Sequence, residues 1–305
     1  MIRLGVSVNV LGRPGRRGPA GAGGAHPSVR LLELRELLLY LAGQGICYYR
    51  PAGDLLPLDG AAEALAECGD LPGEVGALAR RLGMRLTLHP PLHAALSAPD
   101  TEVAGRAAAQ LAGQAALLDA LGCGPEAVLV LHVGGAYGDA PAALERFAAR
   151  YERLPAPLRQ RLAVEQDEYC FDLCALLRLH QLTGVPLVFD SLHFQLHNPA
   201  RLGLAEALGL ALATWPRGVP AEVHFSSQRT EGHARTERGG AVRVAPPRHG
   251  QHADFANPFE FAALLRAARG LPPFDIMLEA KAGDLAVLRL RDDLRRFAPE
   301  EMRHS

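Results

Sequence analysis

Eight short apolar runs, each followed by a stretch with helical composition and spacing, recur along the whole chain, and this alternation constrains the fold more than any single motif. The runs are IRLGVSV at 2–8, ICYYR at 46–50, RLTLHP at 85–90, AVLVLHVG at 127–134, LAVEQ at 162–166, PLVFDSLH at 186–193, AEVHFSS at 221–227 and DIMLEA at 275–280. Helices rich in Ala and Leu are predicted near 28–43, 60–82, 101–122, 141–153, 170–183, 202–214, 258–269 and 284–296. Strands covered on both faces read as near-continuous apolar runs, so eight strand-then-helix units predict an α/β fold, the (β/α)8 TIM barrel. A length of 305 residues is normal for such a barrel, and with no linker in view residues 1–305 are expected to form one domain. The longest irregular piece, roughly 227–257, is basic and Gly/Pro-bearing and reads as a working loop rather than a boundary.

In barrel enzymes chemistry sits at the C-terminal face of the strands, so the residues ending each run carry the functional signal. The run at 85–90 ends at His89, that at 127–134 carries His132, and the next ends near Glu165. Asp190 and His193 close the sixth, Glu222 and His224 lie on the seventh, and Glu279 ends the eighth. Carboxylates converging without partners would repel and raise one another's pKa, whereas divalent cations compensate their charge and take neutral imidazole as a ligand. The pattern therefore predicts a metal site, and its size suggests two or three ions. A mixed oxygen and nitrogen donor set without thiolates suits manganese or zinc ahead of iron or magnesium. A lone His or Glu ending a strand is more often structural, and it is the joint placement that carries the reading. His252 and Asp254 in GQHADF could complete the shell, and His197 stays undecided between groove lining and simple surface. His26, His180, His233 and His249 bear no periodic relation to the site.

Composition narrows the classes further. The formal net charge of −1, with 49% hydrophobic and 21% charged residues, gives no global sign of a polyanionic partner. Positive charge instead clusters locally: Arg13, Arg16 and Arg17 in GRPGRRG could grip phosphates, although a solvated loop is the simpler account. No apolar run is long enough to span a membrane, and MIRLGVSVNV lacks a secretory signal, so a cytoplasmic protein is expected. Five scattered cysteines argue against a disulfide framework or a thiolate zinc site, and Cys170 and Cys174 read as packing residues.

LVLHVGGAYGD, LAVEQDE, LVFDSLH, EVHFSSQ, HADF and IMLEAK, in that order, resemble the UV damage endonuclease family, relatives of the endonuclease IV type of barrel nuclease. The resemblance runs from YYRPAGDLLPL onward. It implies a manganese-dependent DNA repair enzyme, with Zn2+ or Mg2+ as other metals, that binds double-stranded DNA containing UV photolesions. Cleavage would fall immediately 5′ of the lesion and leave a 3′-hydroxyl and a 5′-phosphate, and a monomer is expected. The family's ligand pattern falls on His89, His132, Glu165, Asp190, His193, His224, His252 and Glu279. Five positions depart from the family's motifs. Glu222 stands where relatives are expected to carry Lys, and supplies a carboxylate directly. HPPLH places Leu92 and His93 where Gln and Tyr are expected to probe the lesion, and an apolar wedge with a stacking ring keeps that role in kind. Val6 replaces an expected Tyr, and Gln166 an expected Asn.

Glu165 and Glu279 are the candidate bridging carboxylates, with Glu222 also placed in the catalytic set. Lys281 could neutralise developing phosphate charge or form a structural ion pair. Tyr137 is a candidate lesion contact, and Arg13, Arg16, Arg17, Arg50 and Arg235 are candidate phosphate contacts. One of Tyr48 and Tyr49 is expected in the barrel core, because alternate strand residues point opposite ways. Three other functions share parts of this signature. A sugar isomerase or epimerase of the xylose isomerase type also sets His, Glu and Asp on strand ends, but uses fewer histidines and an aromatic sugar pocket. An abasic-site endonuclease would share the metals without needing the two-residue probe. A non-catalytic DNA-binding module would tolerate loss of ligands.

Overall fold

The computed structural model describes residues 2–13, 26–53, 55–57, 60–90, 95–237 and 239–301, and of Arg235 the backbone alone. Its strands are β1 (Leu4–Ser7), β2 (Tyr48–Arg50), β3 (Arg85–Leu86), β4 (Leu129–His132), β5 (Leu162–Glu165), β6 (Leu187–Asp190), β7 (Ala221–Phe225), β8 (His233–Thr236), β9 (Val242–Ala245) and β10 (Phe274–Leu278). All but β8 and β9 lie in one parallel sheet of order β3-β2-β1-β10-β7-β6-β5-β4. The sheet curls into an α/β barrel whose edges meet at a parallel bridge between Leu88, just beyond β3, and Leu129 of β4. There Leu88 N donates to Val128 O at 3.0 Å and Val130 N to Leu88 O at 2.8 Å.

Helices form the outer layer for reasons visible in their residues. Pro27–Gly43 buries Leu31, Leu34, Leu38 and Leu41, a spacing that lines one helical face against the sheet. Asp100, Asp139, Asp172 and Asn257 accept first-turn N–H groups of Thr101–Ala120, Ala140–Tyr151, Leu173–Thr183 and Pro258–Ala267. No described helix is long and apolar enough to cross a membrane.

Two stretches differ from expectation. The predicted helix 60–82 divides into Ala61–Glu67 and Leu71–Arg81. Gly69 adopts the left-handed φ of +55° between them, and Pro72 sits in the first turn of the second, where a missing N–H sacrifices no bond. The piece expected to be irregular, 227–257, contains β8 and β9 as an antiparallel ribbon.

Inside the barrel the period-two alternation brings charge to the axis. Arg3 meets Asp275 at 3.1 Å, Asp275 meets Arg85 at 2.9 Å, and Arg85 lies 3.7 Å from Glu222. Burying charge is costly unless it is paired, and this column pairs each member with the next. The Arg85 guanidinium also covers the Tyr48 ring, 4.9 Å from its centroid. As the alternation requires, Tyr48 alone of the two tyrosines of β2 faces the interior; Tyr49, equally buried, packs outward and donates to Val8 O at 3.1 Å. Above this column, at the strand ends, lie the acids and histidines.

Candidate metal centre

The sheet register assembles the centre directly. His132 and Glu165, the last residues of β4 and β5, are paired neighbours, as are Asp190 at the end of β6 and His224 of β7. Glu279 follows β10, and His89 follows β3. Ligand atoms of Glu165, Asp190, His224 and Glu279 all lie within 4.8 Å of one another, and His89, His132 and Glu165 form a second such group. Glu165 is common to both. His89 Nε2 lies 3.2 Å and His132 Nε2 3.7 Å from Glu165 Oε2, and His193 Nδ1 lies 3.4 Å from Oε1.

Each imidazole has one nitrogen committed to the protein. Nδ1 of His89 donates to Pro90 O at 2.9 Å, that of His193 to Gln166 O at 2.9 Å and that of His252 to Glu279 O at 2.9 Å. His132 Nδ1 donates to Glu165 O at 3.3 Å. A carbonyl can only accept, so Nε2 is left as the available donor atom, facing Glu165 in His89 and His132 and Glu168 in His193. His224 is reversed, with Nε2 held 3.0 Å from Glu222 Oε1 and Nδ1 turned to Glu165 and Glu279. Anchoring the far nitrogen in this way fixes tautomer and ring orientation, as in metal-ligating histidines.

Three buried ligand atoms, Glu165 Oε1, Asp190 Oδ2 and His224 Nδ1, have no hydrogen-bond partner. His224 Nδ1 and Glu165 Oε1 are 3.0 Å apart without the alignment of a hydrogen bond. The charges are strongly perturbed. Burial opposes ionisation of Glu165, yet His224 and His132 hold its carboxyl well below the usual range. Glu279 is held low against burial by Arg50 and then His224, whereas burial pushes Asp190 up. Burial pulls His224 down, but Glu165 and Glu279 outweigh it and carry the imidazole well above its ordinary value. His132 is lowered by burial. Carboxylates here are compensated by protons on imidazole, and divalent cations supply the same compensation while leaving imidazole neutral. Orphaned donors, anchored rings and a thiolate-free set of oxygens and nitrogens all fit a metal centre.

Of the residues singled out from sequence, His89, His132, Glu165, Asp190, His224 and Glu279 converge. His193 and His252 flank them, their rings 6.3 Å apart. Glu222 lies two residues before His224 on β7, deeper in the barrel; it is fully buried and reaches the group through that histidine. Arg50, read as a phosphate contact, instead has a buried guanidinium closed on Glu279, since its side chain points into the barrel. Lys281 is exposed, and its N–H donates to Ala253 O at 3.0 Å. Tyr137 is 51% exposed on the loop after β4, in the left-handed region at φ +52°, with the Arg146 guanidinium 5.8 Å from its ring centroid. Arg13 lies 3.9 Å from Glu36, and Arg235 belongs to β8. Asp254 pairs with Arg229 at 2.8 Å, and His197 Nδ1 meets Asp167 O at 3.2 Å. Arg16, Arg17, Leu92 and His93 lie outside the described residues.

Sequence reading missed the supports. Arg85 shares the inward alternation of Thr87 and His89, a period that could have placed it beneath the site. Glu168 lies 3.6 Å from His193 Nε2, three residues beyond Glu165 in EQDE. Gln166 is buried, donating to Asp190 O at 2.8 Å and accepting from Asp190 N at 3.3 Å, and so fixes the end of β6.

The UV-endonuclease UvdE family matches residues 27–303. The UV DNA damage endonuclease of Bacillus velezensis is 31% identical over 266 residues, covering 84% of this chain and 77% of its own. The crystal structure of SacUVDE superposes with a TM-score of 0.78 at 24% identity, over 97% of this chain and 99% of that one. Endonuclease IV from Thermus thermophilus superposes with a TM-score of 0.58 at 17% identity, over 98% and 99%. At these identities the two structures speak to the fold alone.

Proposed function

Because the chain belongs to the UV-endonuclease UvdE family, we propose that it is a metal-dependent DNA repair endonuclease that cuts duplex DNA immediately 5′ of a UV photolesion, leaving a 3′-hydroxyl and a 5′-phosphate. The observation that carries the reading is the convergence of Glu165, Asp190, His224 and Glu279 with three buried ligand atoms unsatisfied. A barrel needs no such arrangement for stability.

In this reading His89, His132, Glu165, Asp190, His193, His224, His252 and Glu279 hold divalent cations, manganese first and zinc or magnesium as alternatives. Bound cations would supply Lewis acidity toward the phosphodiester and toward the attacking water. Glu165, shared by both donor groups, would be the first carboxylate to hold more than one ion, and Glu279 is the second candidate for that role. Glu222 positions His224 rather than ligating, and Arg50 keeps Glu279 ionised. Lys281 balances charge on the phosphate. Leu92, His93 and Tyr137 meet the lesion, while Arg13, Arg16, Arg17 and Arg235 meet phosphates. Selectivity comes from the lower cost of unstacking and bending damaged DNA, a difference on the order of a few kcal/mol. The same reading takes the chain as one domain acting as a cytoplasmic monomer at the C-terminal face of its barrel.

The test is cleavage of end-labelled duplexes carrying one thymine dimer, one abasic site or no damage, with protein stripped by EDTA and manganese added back. Nicking directly 5′ of the dimer, restored by manganese, is the expected result. Cleavage confined to the abasic duplex would move the protein to abasic-site repair, and no cleavage of any duplex would sink the nuclease reading and make sugars the next substrates.

A further inference from the structure

Between β7 and the helix Pro258–Ala267 the chain leaves the rim and returns beside the metal centre. The root of this excursion is firmly tied. Arg229 N donates to Gln251 O at 2.7 Å, and the Gln228 side chain donates to Arg248 O at 2.8 Å and accepts from Gly250 N at 2.9 Å. His252, in the returning strand of that root, is turned onto Glu279.

Beyond the root, β8 and β9 pair with each other, and among the described residues neither packs extensively on another element. An isolated two-stranded ribbon is marginal in water. This one leaves Val242 66% and Val244 77% exposed on one face, across from Thr236 and Ala234. Arg243 lies between the two valines in sequence and therefore on the other face, its side chain 80% exposed with Glu237 at 3.6 Å. The backbone register sets Arg235 opposite Arg243, so both positions belong to that second face. Residues 228–250 hold five arginines against two glutamates. A polyanion with apolar groove walls would meet this excess of positive charge and cover the valines together.

Resting on the nuclease reading, we propose that this ribbon is a duplex-binding arm that enters a groove of the DNA beside the scissile position. Arg243 and Arg235 meet phosphates along one groove edge, and the Val242–Val244 face lies against sugars and base edges. A two-stranded ribbon has the width for a major groove, and its basic edge tracks the backbone without reading sequence. Its rigid root keeps the arm in register with the metal centre.

Two double variants test this, Arg235→Ser with Arg243→Ser and Val242→Ser with Val244→Ser. For each, kcat and KM are measured on a short dimer-bearing duplex with manganese-loaded protein across a salt series. The arginine pair should raise KM roughly tenfold with kcat little changed, and should flatten the salt dependence by about two phosphate contacts. Arg235→Lys with Arg243→Lys should restore the salt slope, which a merely structural role would not do. Independently of activity, duplex DNA should protect the ribbon arginines from trypsin in the unaltered protein. If wild type nicks no duplex yet the ribbon is protected, the nuclease reading falls and the arm stands. Unchanged KM and salt slope in both variants, or absence of protection, overturns the arm.

Discussion

Glu222 stands fully buried on β7, between the charged column and the histidines above it. From sequence it is one more carboxylate at a strand end. In the fold its Oε1 lies 3.0 Å from His224 Nε2 while its Oε2 is 3.7 Å from the Arg85 guanidinium, so it links the charged column to the ring above. Carboxylates that hold the far nitrogen of a ligating imidazole typically contribute roughly 10- to 100-fold in metal affinity, by fixing tautomer and orientation. Glu222→Ala should therefore weaken manganese binding by about tenfold or more in a calorimetric titration. Glu222→Gln keeps an acceptor oxygen and should bind close to wild type while turning over more slowly. Full affinity in the alanine variant would remove Glu222 from the centre's support. The alternation that carried His89 and His224 to the axis carries Arg85 and Glu222 there too, so this layer was legible in principle. What hid it is that a period of two fixes the face and not the depth.

Among the elements, Leu71–Arg81 makes the sharpest case for packing over propensity. Gly76 is inside that helix, where glycine ordinarily costs about 1 kcal/mol against alanine. A Cβ at Gly76 would stand 1.6 Å from Leu121 O, at the end of the helix Thr101–Ala120. Backbone cannot yield as a side-chain tip can, so the two helices would have to separate. Gly76→Ala should lower stability by about 2 kcal/mol or more in denaturant titration, opposite in sign to the propensity argument. An alanine variant as stable as wild type would mean the helices do not approach so closely. The strands were legible because two-sided burial writes continuous apolar runs, and the helices because Ala- and Leu-rich stretches follow those runs. The ribbon was not, because its alternating Val242-Arg243-Val244 is short and set among Gly, Pro and Arg that signal a loop. Nor was the break at Gly69 and Pro72, since proline is tolerated at a helix start and only the backbone shows where the start lies.

At the scale of the whole molecule the barrel axis carries a charge deficit. Glu165, Asp190, Glu222, Asp275 and Glu279 are buried along it, against Arg50 and Arg85 as buried guanidinium groups. Without cations the difference falls to imidazolium. Burial pulls His193 down, but Asp190 and Glu165 outweigh it and hold the ring at about 11. A histidine raised in the fold above its unfolded value of about 6.5 adds stability that is fully present below the unfolded pKa and is lost as pH rises through the folded one. The stripped protein should therefore lose stability with rising pH above neutrality, whereas the manganese-loaded protein, its charge carried by the ion, should not. The gap between their melting temperatures should widen from about pH 6.5 upward. One ion at a hundred times its Kd contributes about 2.7 kcal/mol, which for a chain of this size is a shift of about 4 °C per site. Scanning calorimetry of EDTA-stripped and manganese-restored protein at several pH values reads this directly. Coincident melting curves at every pH would mean that the acids and histidines of the axis are balanced by the protein alone and that no metal completes them.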